Sequence, residues 1–144
     1  MTEQNSEYLL QFRGGFTSAL RWNHLDELWA TLRGDAEGWF VYAVGEQPPR
    51  EVVSAEQLLT FINEVDALLR AEHEEDYCGI VYADNLSNPK IVKIYDPNNL
   101  GVSCGYSDNP PLPGWVLSRT EPVDLPSQQV LPKNRQRWWK RLFS

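Results

Sequence analysis

The run from Tyr77 to Gly105, YCGIVYADNLSNPKIVKIYDPNNLGVSCG, constrains the fold more than any other stretch, and both cysteines lie in it. Cys78, Ile80 and Tyr82 alternate with Gly79, Val81 and Ala83. An extended backbone puts the two sets on opposite faces. Asp84-Asn85-Leu86-Ser87-Asn88-Pro89 supplies turn formers and a proline without the N–H that a ladder needs. Ile91, Val92, Ile94 and Tyr95 then resume β-branched and aromatic character, with Lys90 and Lys93 interleaved. After a second turn cluster, Asp96 to Gly101, the segment Val102 to Cys104 returns. Loops this short exclude a parallel crossover, so the spacing predicts an antiparallel meander of three strands.

The rest of the chain reads as elements that extend or cover this sheet. Tyr8 to Arg13 alternates, and Gly14-Gly15 suits a two-residue turn into Phe16 to Leu20, which predicts a hairpin. A helix beginning at Thr17 or Ser18 is the competing reading. Leu25, Leu28, Trp29 and Leu32 repeat at helical spacing, with Asn23 as N-cap, Asp26 and Glu27 in the first turn and Gly34 as terminator. Gly38 to Val44 is apolar without a break, the pattern of a strand covered on both faces, and is expected at the centre of the sheet. Ser54 and Gln57 make a capping box, with Val53 and Leu58 as a hydrophobic staple. Leu58, Phe61, Ile62, Val65, Leu68 and Leu69 follow as the buried stripe of a second helix, which the acidic run Glu72 to Asp76 ends. Prolines at 110, 111 and 113 exclude helix or central strand from Gly105 to Gly114, and Trp115 to Arg119 reads as a last strand.

A length of 144 residues with 42% hydrophobic and 12% aromatic residues is that of one globular domain. The polar, acidic start MTEQNSEYLL is not a secretory signal, and the longest apolar run is too short to span a bilayer. A cytoplasmic address with reduced cysteines is therefore expected. Charge is divided unevenly. Residues 1–132 hold all 20 acids and 8 of the 13 bases, a balance of −12, while residues 133–144 hold the other 5 bases and no acid. An acidic body repels nucleic acid; the last dozen residues attract anions.

Signatures of chemistry are sparse. His24, His73, Cys78 and Cys104 are four isolated residues without the paired spacing of a zinc site, so surface histidines and packed thiols are the expectation, with no metal and no cofactor. Gly14-Gly15 lacks the lysine and hydroxyl of a phosphate-binding loop, and no GxGxxG is present. Cys104, just after a turn, would need a base and a lowered pKa to act as a nucleophile. Tyr95, Asp96, Cys104, Tyr106 and Trp115, beside the rigid proline segment, form a candidate pocket, with a satellite core as the alternative.

The tail KNRQRWWKRLFS stands apart. On a helical wheel Trp138, Trp139, Leu142 and Phe143 share one arc, and Arg137, Lys140 and Arg141 lie opposite. Basic residues facing an aromatic and aliphatic arc suit a helix lying in a membrane interface. The terminal WWKRLFS resembles the short amphipathic membrane-targeting segment that ends the bacterial division-site ATPases. Docking into a partner protein through Trp and Arg, or folding back onto the acidic body, are the other readings.

The expected fold is α+β: a mixed or antiparallel sheet of about five or six strands carrying two helices on one face. Residues 1–120 form the domain, 121–132 a proline-bearing linker and 133–144 the basic aromatic tail. The expected function is that of a non-enzymatic accessory or adaptor domain, recruited to a partner protein or an anionic membrane surface by Arg137 to Phe143. The alternative is a small ligand-binding domain or thiol enzyme built on the Tyr95 to Trp115 neighbourhood.

Overall fold

A computed structural model describes residues 3–73, 78–97, 113–123 and 142, with the backbone alone for residues 3–6. In chain order its elements are α1 (Glu3–Arg13), β1 (Thr17–Ser18), α2 (Trp22–Arg33), β2 (Phe40–Ala43), α3 (Ala55–Glu72), β3 (Val81–Ala83), β4 (Ile91–Ile94) and β5 (Trp115–Ser118). The strands form one antiparallel sheet in the order β1-β3-β4-β5-β2. The class is α+β.

α2 and α3 cover one face. Val81, Ile94, Trp115 and Ala43 make one registered row there, and Ala83, Val92, Leu117 and Val41 a second. All eight are buried against Leu25, Leu28, Trp29 and Leu32 of α2 and the six apolar residues of the α3 stripe. Each fully buried side chain of this size contributes roughly 1.5–3 kcal/mol, so this layer dominates stability. Its two helices are also pinned by polar contacts. The Trp29 indole donates to Asp66 at 3.0 Å, and Arg70 donates to both Asp66 and Asp26. At the start of α3 the Ser54 hydroxyl accepts from the Gln57 N–H, and the Gln57 side chain accepts from the Ser54 N–H, as the capping box predicts.

Four expectations are corrected. Tyr8 to Arg13 is the end of helix α1, not a hairpin strand. Alternation would bury Tyr8, Leu10 and Phe12; instead Tyr8 is buried, Leu9 and Phe12 pack beside it, and Leu10 is 75% exposed. The Tyr8 and Phe12 rings stack 6.2 Å apart at the i, i+4 spacing of neighbours on a helix. α2 starts at Trp22 with extended Arg21 as N-cap, so Asn23 is helical and the first turn carries no acid. β2 lies at the sheet edge rather than the centre. It is apolar on both sides because helices lie on both: Val41 and Ala43 face α2 and α3, and Tyr42 and Val44 face α1. The third partner of the expected meander is β5, which occupies the side of β4 opposite β3. The segment Val102 to Cys104 lies outside the described residues.

Alternation also breaks just before β3, one residue after Gly79. The Gly79 φ of +71° is a left-handed conformation that glycine adopts freely. Cys78 and Ile80 both join the main core together with the adjoining Val81 and Ala83, while Tyr82 remains on the α1 side.

Candidate functional site

The face beneath α1 is built differently. One registered row crosses all five strands: Ser18, Tyr82, Lys93, Val116 and Tyr42. Tyr42, Val44, Ile91 and Val116 meet Tyr8 of α1 in a small second core. Lys93 stands at the middle strand of that row, where burial pushes its ammonium below the ordinary lysine range. α1 ends next to it, and the chain turns through Gly14 and Gly15 into β1. Phe12 from the helix and Phe16 from the strand entry thereby close on the side chain. The Lys93 nitrogen lies 4.1 Å from the Phe12 ring centroid and 4.0 Å from that of Phe16. Each cation–π contact is worth about 0.5–1 kcal/mol when exposed and more when desolvated.

Beside this pair of rings opens a hollow of about 460 Å³, lined by Gly14, Phe16, Gly79, Ile80, Tyr82, Lys93 and Tyr95. Tyr82 and Tyr95 meet edge to face, 5.7 Å between centroids. Burial first, and then the neighbouring Tyr82, raise the Tyr95 phenol, so at neutral pH it is a protonated hydrogen-bond donor. Among the described residues no carboxylate forms an ion pair with Lys93. The hollow thus combines flat apolar walls, two phenols and one cation with no ion-pair partner among the described residues.

A larger cavity of about 760 Å³ lies among Glu7, Gln11, Asp35, Phe40, Asn88, Pro89, Lys90, Arg119, Thr120 and Glu121. Of the two cations that line it among the described residues, Lys90 and Arg119, the second is already committed. Arg119 donates to the Asp35 carboxylate at 2.6 Å and to the carbonyls of Asp35 and Glu37, and it stacks 4.2 Å from the Trp39 ring centroid. Three carboxylates on the rim add to the cost of an anion there, and Arg119 fastens the end of β5 to the α2–β2 connection.

The residues singled out in the sequence are only partly brought together. Tyr95 lines the smaller hollow. Trp115 is buried in the main core on the α2–α3 side, a packing role. Asp96 is buried next to Gly114, where an added Cβ would come 3.2 Å from its own. Cys104 and Tyr106 lie outside the described residues, as do Arg137, Trp138, Trp139, Lys140, Arg141 and Phe143. Leu142 is described: it is helical, half-buried and packed against the main core. His24 accepts from the Arg21 N–H at 3.4 Å and His73 contacts the Cys78 carbonyl at 2.9 Å. Cys78 is a free, buried thiol whose pKa burial raises, the state of an inert packed cysteine. Among the described residues no group of three or more His, Cys, Asp and Glu converges on a metal-sized site. Lys93 and its phenylalanines escaped the sequence reading, because pairing Lys93 with Tyr82 requires strand register and Phe12 requires α1.

No family model matches the chain, and no solved structure matches it. It is similar to an uncharacterised protein of Aquifex aeolicus (strain VF5), with 28% identity over 90 residues that cover 59% of this chain and 70% of the relative. Among the described residues no helix is long and apolar enough to cross a membrane.

Proposed function

We propose that this protein is a small-ligand-binding domain whose site is the hollow between the end of α1 and strands β3 and β4. The observation that carries the proposal is Lys93: a half-buried cation held by two phenyl rings at the mouth of a cavity, with no described carboxylate beside it. Charges placed in poorly solvated positions cost stability unless something compensates, and a ligand is a natural compensator. The volume falls within the roughly 300–1,000 Å³ usual for small-molecule sites. Titration of the ¹⁵N-labelled protein with benzoate, benzamide, indole-3-acetate and indole-3-acetamide tests the proposal. Saturable amide shifts are expected for at least one probe at Gly14, Gly79, Tyr82, Lys93 and Tyr95. Absence of saturable shifts there for all four overturns it.

A second reading, an accessory or adaptor domain recruited by its tail, is favoured by the division of charge between residues 1–132 and 133–144. The contact of Leu142 with the main core weights that reading toward an acidic partner protein over lipid, since an apolar side chain seated on its own domain is withdrawn from a bilayer. Full-length protein and a version ending at residue 132 would be compared for binding to polyglutamate and to phosphatidylserine-rich vesicles. Loss of polyglutamate binding on truncation supports the protein-partner form, loss of vesicle binding alone supports the membrane form, and identical behaviour in both ends the reading.

A further inference from the structure

We infer that the hollow beside Lys93 takes a flat organic monocarboxylate, an aromatic or heteroaromatic acid of one or two rings. This inference rests on the ligand-binding reading above and names the ligand's chemical class.

Three features of the site select that class. The first is charge. Among the described residues a single ammonium lines the hollow, and one cation is neutralised by one carboxylate. A carboxylate would accept charge-assisted hydrogen bonds from Lys93, whose three N–H groups are not all consumed by two ring faces. The second is the helix terminus that borders the hollow. It is the C-terminal end of α1, with Gly14 following Arg13, and this end of a helix carries the negative pole of its dipole. A phosphate monoester, with about −1.5 to −2 charges at neutral pH, would face that pole with Lys93 as the one described cation lining the hollow and Arg13 in the last turn of the helix, exposed to solvent. Phosphate sites use helix N-termini, the opposite arrangement. The third is the wall. Phe16, Tyr82 and Tyr95 offer ring surfaces, and Gly14 and Gly79 line the hollow without side chains. Flat bodies gain most from such walls, by offset or edge-to-face stacking. The protonated Tyr95 phenol supplies a further donor on the cavity wall.

Paired acids and their neutral amides separate this inference from the reading beneath it. Dissociation constants of benzoate, benzamide, indole-3-acetate, indole-3-acetamide and phenyl phosphate would be measured on the wild-type chain and on Lys93→Met and Lys93→Arg. Methionine keeps an unbranched apolar side chain of similar length, and thermal melting would confirm that each variant folds. The expected result is that each acid binds the wild type at least tenfold more tightly than its amide. Lys93→Met should weaken acid binding by roughly tenfold to a hundredfold, the range of a lost charged hydrogen bond, with amide binding unchanged. Lys93→Arg should recover part of the loss, and phenyl phosphate should bind more weakly than benzoate. If amides bind as well as acids and Lys93→Met alters neither, the carboxylate assignment fails while the binding site stands. If phenyl phosphate binds tightest, the assignment also fails. If no probe binds at the hollow, both fall. Should Lys93→Met not fold, the acid-to-amide ratio on the wild type decides alone.

Discussion

Among the described residues, the two faces of the sheet differ in how completely each is closed. Beneath α2 and α3 two registered rows of apolar residues meet two amphipathic helices, and the helices are tied to one another through Trp29, Asp66 and Arg70. Beneath α1 the described cover is one helix of 11 residues, and the row across the five strands contains a serine, two tyrosines and a lysine. Two buried oxygens on this side, the Tyr8 hydroxyl and the Ser18 hydroxyl, lack hydrogen-bond partners among the described residues. The closed face does the work of folding, which leaves the open face free to carry groups that a packed core would reject.

The largest expected effect measures that division directly. Phe61→Ala removes a fully buried ring from the α3 stripe and should cost about 3–5 kcal/mol in urea denaturation. Phe12→Ala removes a half-buried ring from the open face and should cost no more than about 2 kcal/mol. Equal losses would show that the two faces share the burden and would break the comparison. Gly79 sits where the chain passes between the two faces, at φ +71°. Gly79→Ala should cost about 1–2 kcal/mol, the penalty of a side chain in the left-handed region. A loss below a few tenths would mean that the backbone relaxes there. Tyr8→Phe should leave stability unchanged or raise it by up to about 1 kcal/mol, since it deletes a buried hydroxyl with no described partner. A clear loss would reveal a partner for that oxygen.

How much of this division was legible in the sequence depended on how local its cause was. α3 was readable in full, because Ser54 caps Gln57 three residues away and the stripe from Leu58 to Leu69 repeats within one helix. α1 was misread because Tyr8, Leu10 and Phe12 fit a strand as well as Tyr8, Leu9 and Phe12 fit a helix, and the choice is made by Tyr42, Ile91 and Val116, far along the chain. β2 showed its two apolar sides correctly, but an unbroken apolar run cannot distinguish a central strand from an edge strand with a helix on each face. Of the residues named for a candidate pocket, Tyr95, Asp96 and Trp115 fall among the described residues. Tyr95 was named for its aromatic character, whereas Trp115 belongs to the main core. Lys93 looked like an ordinary solvent-facing lysine of the pattern IVKI, since the register with Tyr82 and the rings of Phe12 and Phe16 are set by contacts distant in sequence.

The smallest effect is the most specific to the open face. Burial lowers the Lys93 pKa from its ordinary 10.5, so the folded protein releases this proton at a lower pH than the unfolded chain does. Between those two values the unfolded state binds more protons, and stability must rise with pH. Tyr8 and Tyr95 act in the opposite sense. Burial raises both above the usual 10.0, so the folded state keeps protons that the unfolded chain loses, and stability falls as pH climbs past 10.0. Because both tyrosines remain in Lys93→Met, their contribution cancels when the two proteins are compared at each pH. Wild-type stability measured against that variant should therefore improve as pH rises toward about 10.5 and level off beyond it. A flat difference would mean that Lys93 is as well solvated as a surface lysine. The asymmetry between the faces would then be one of packing alone, and the charge would lose its claim to mark a site.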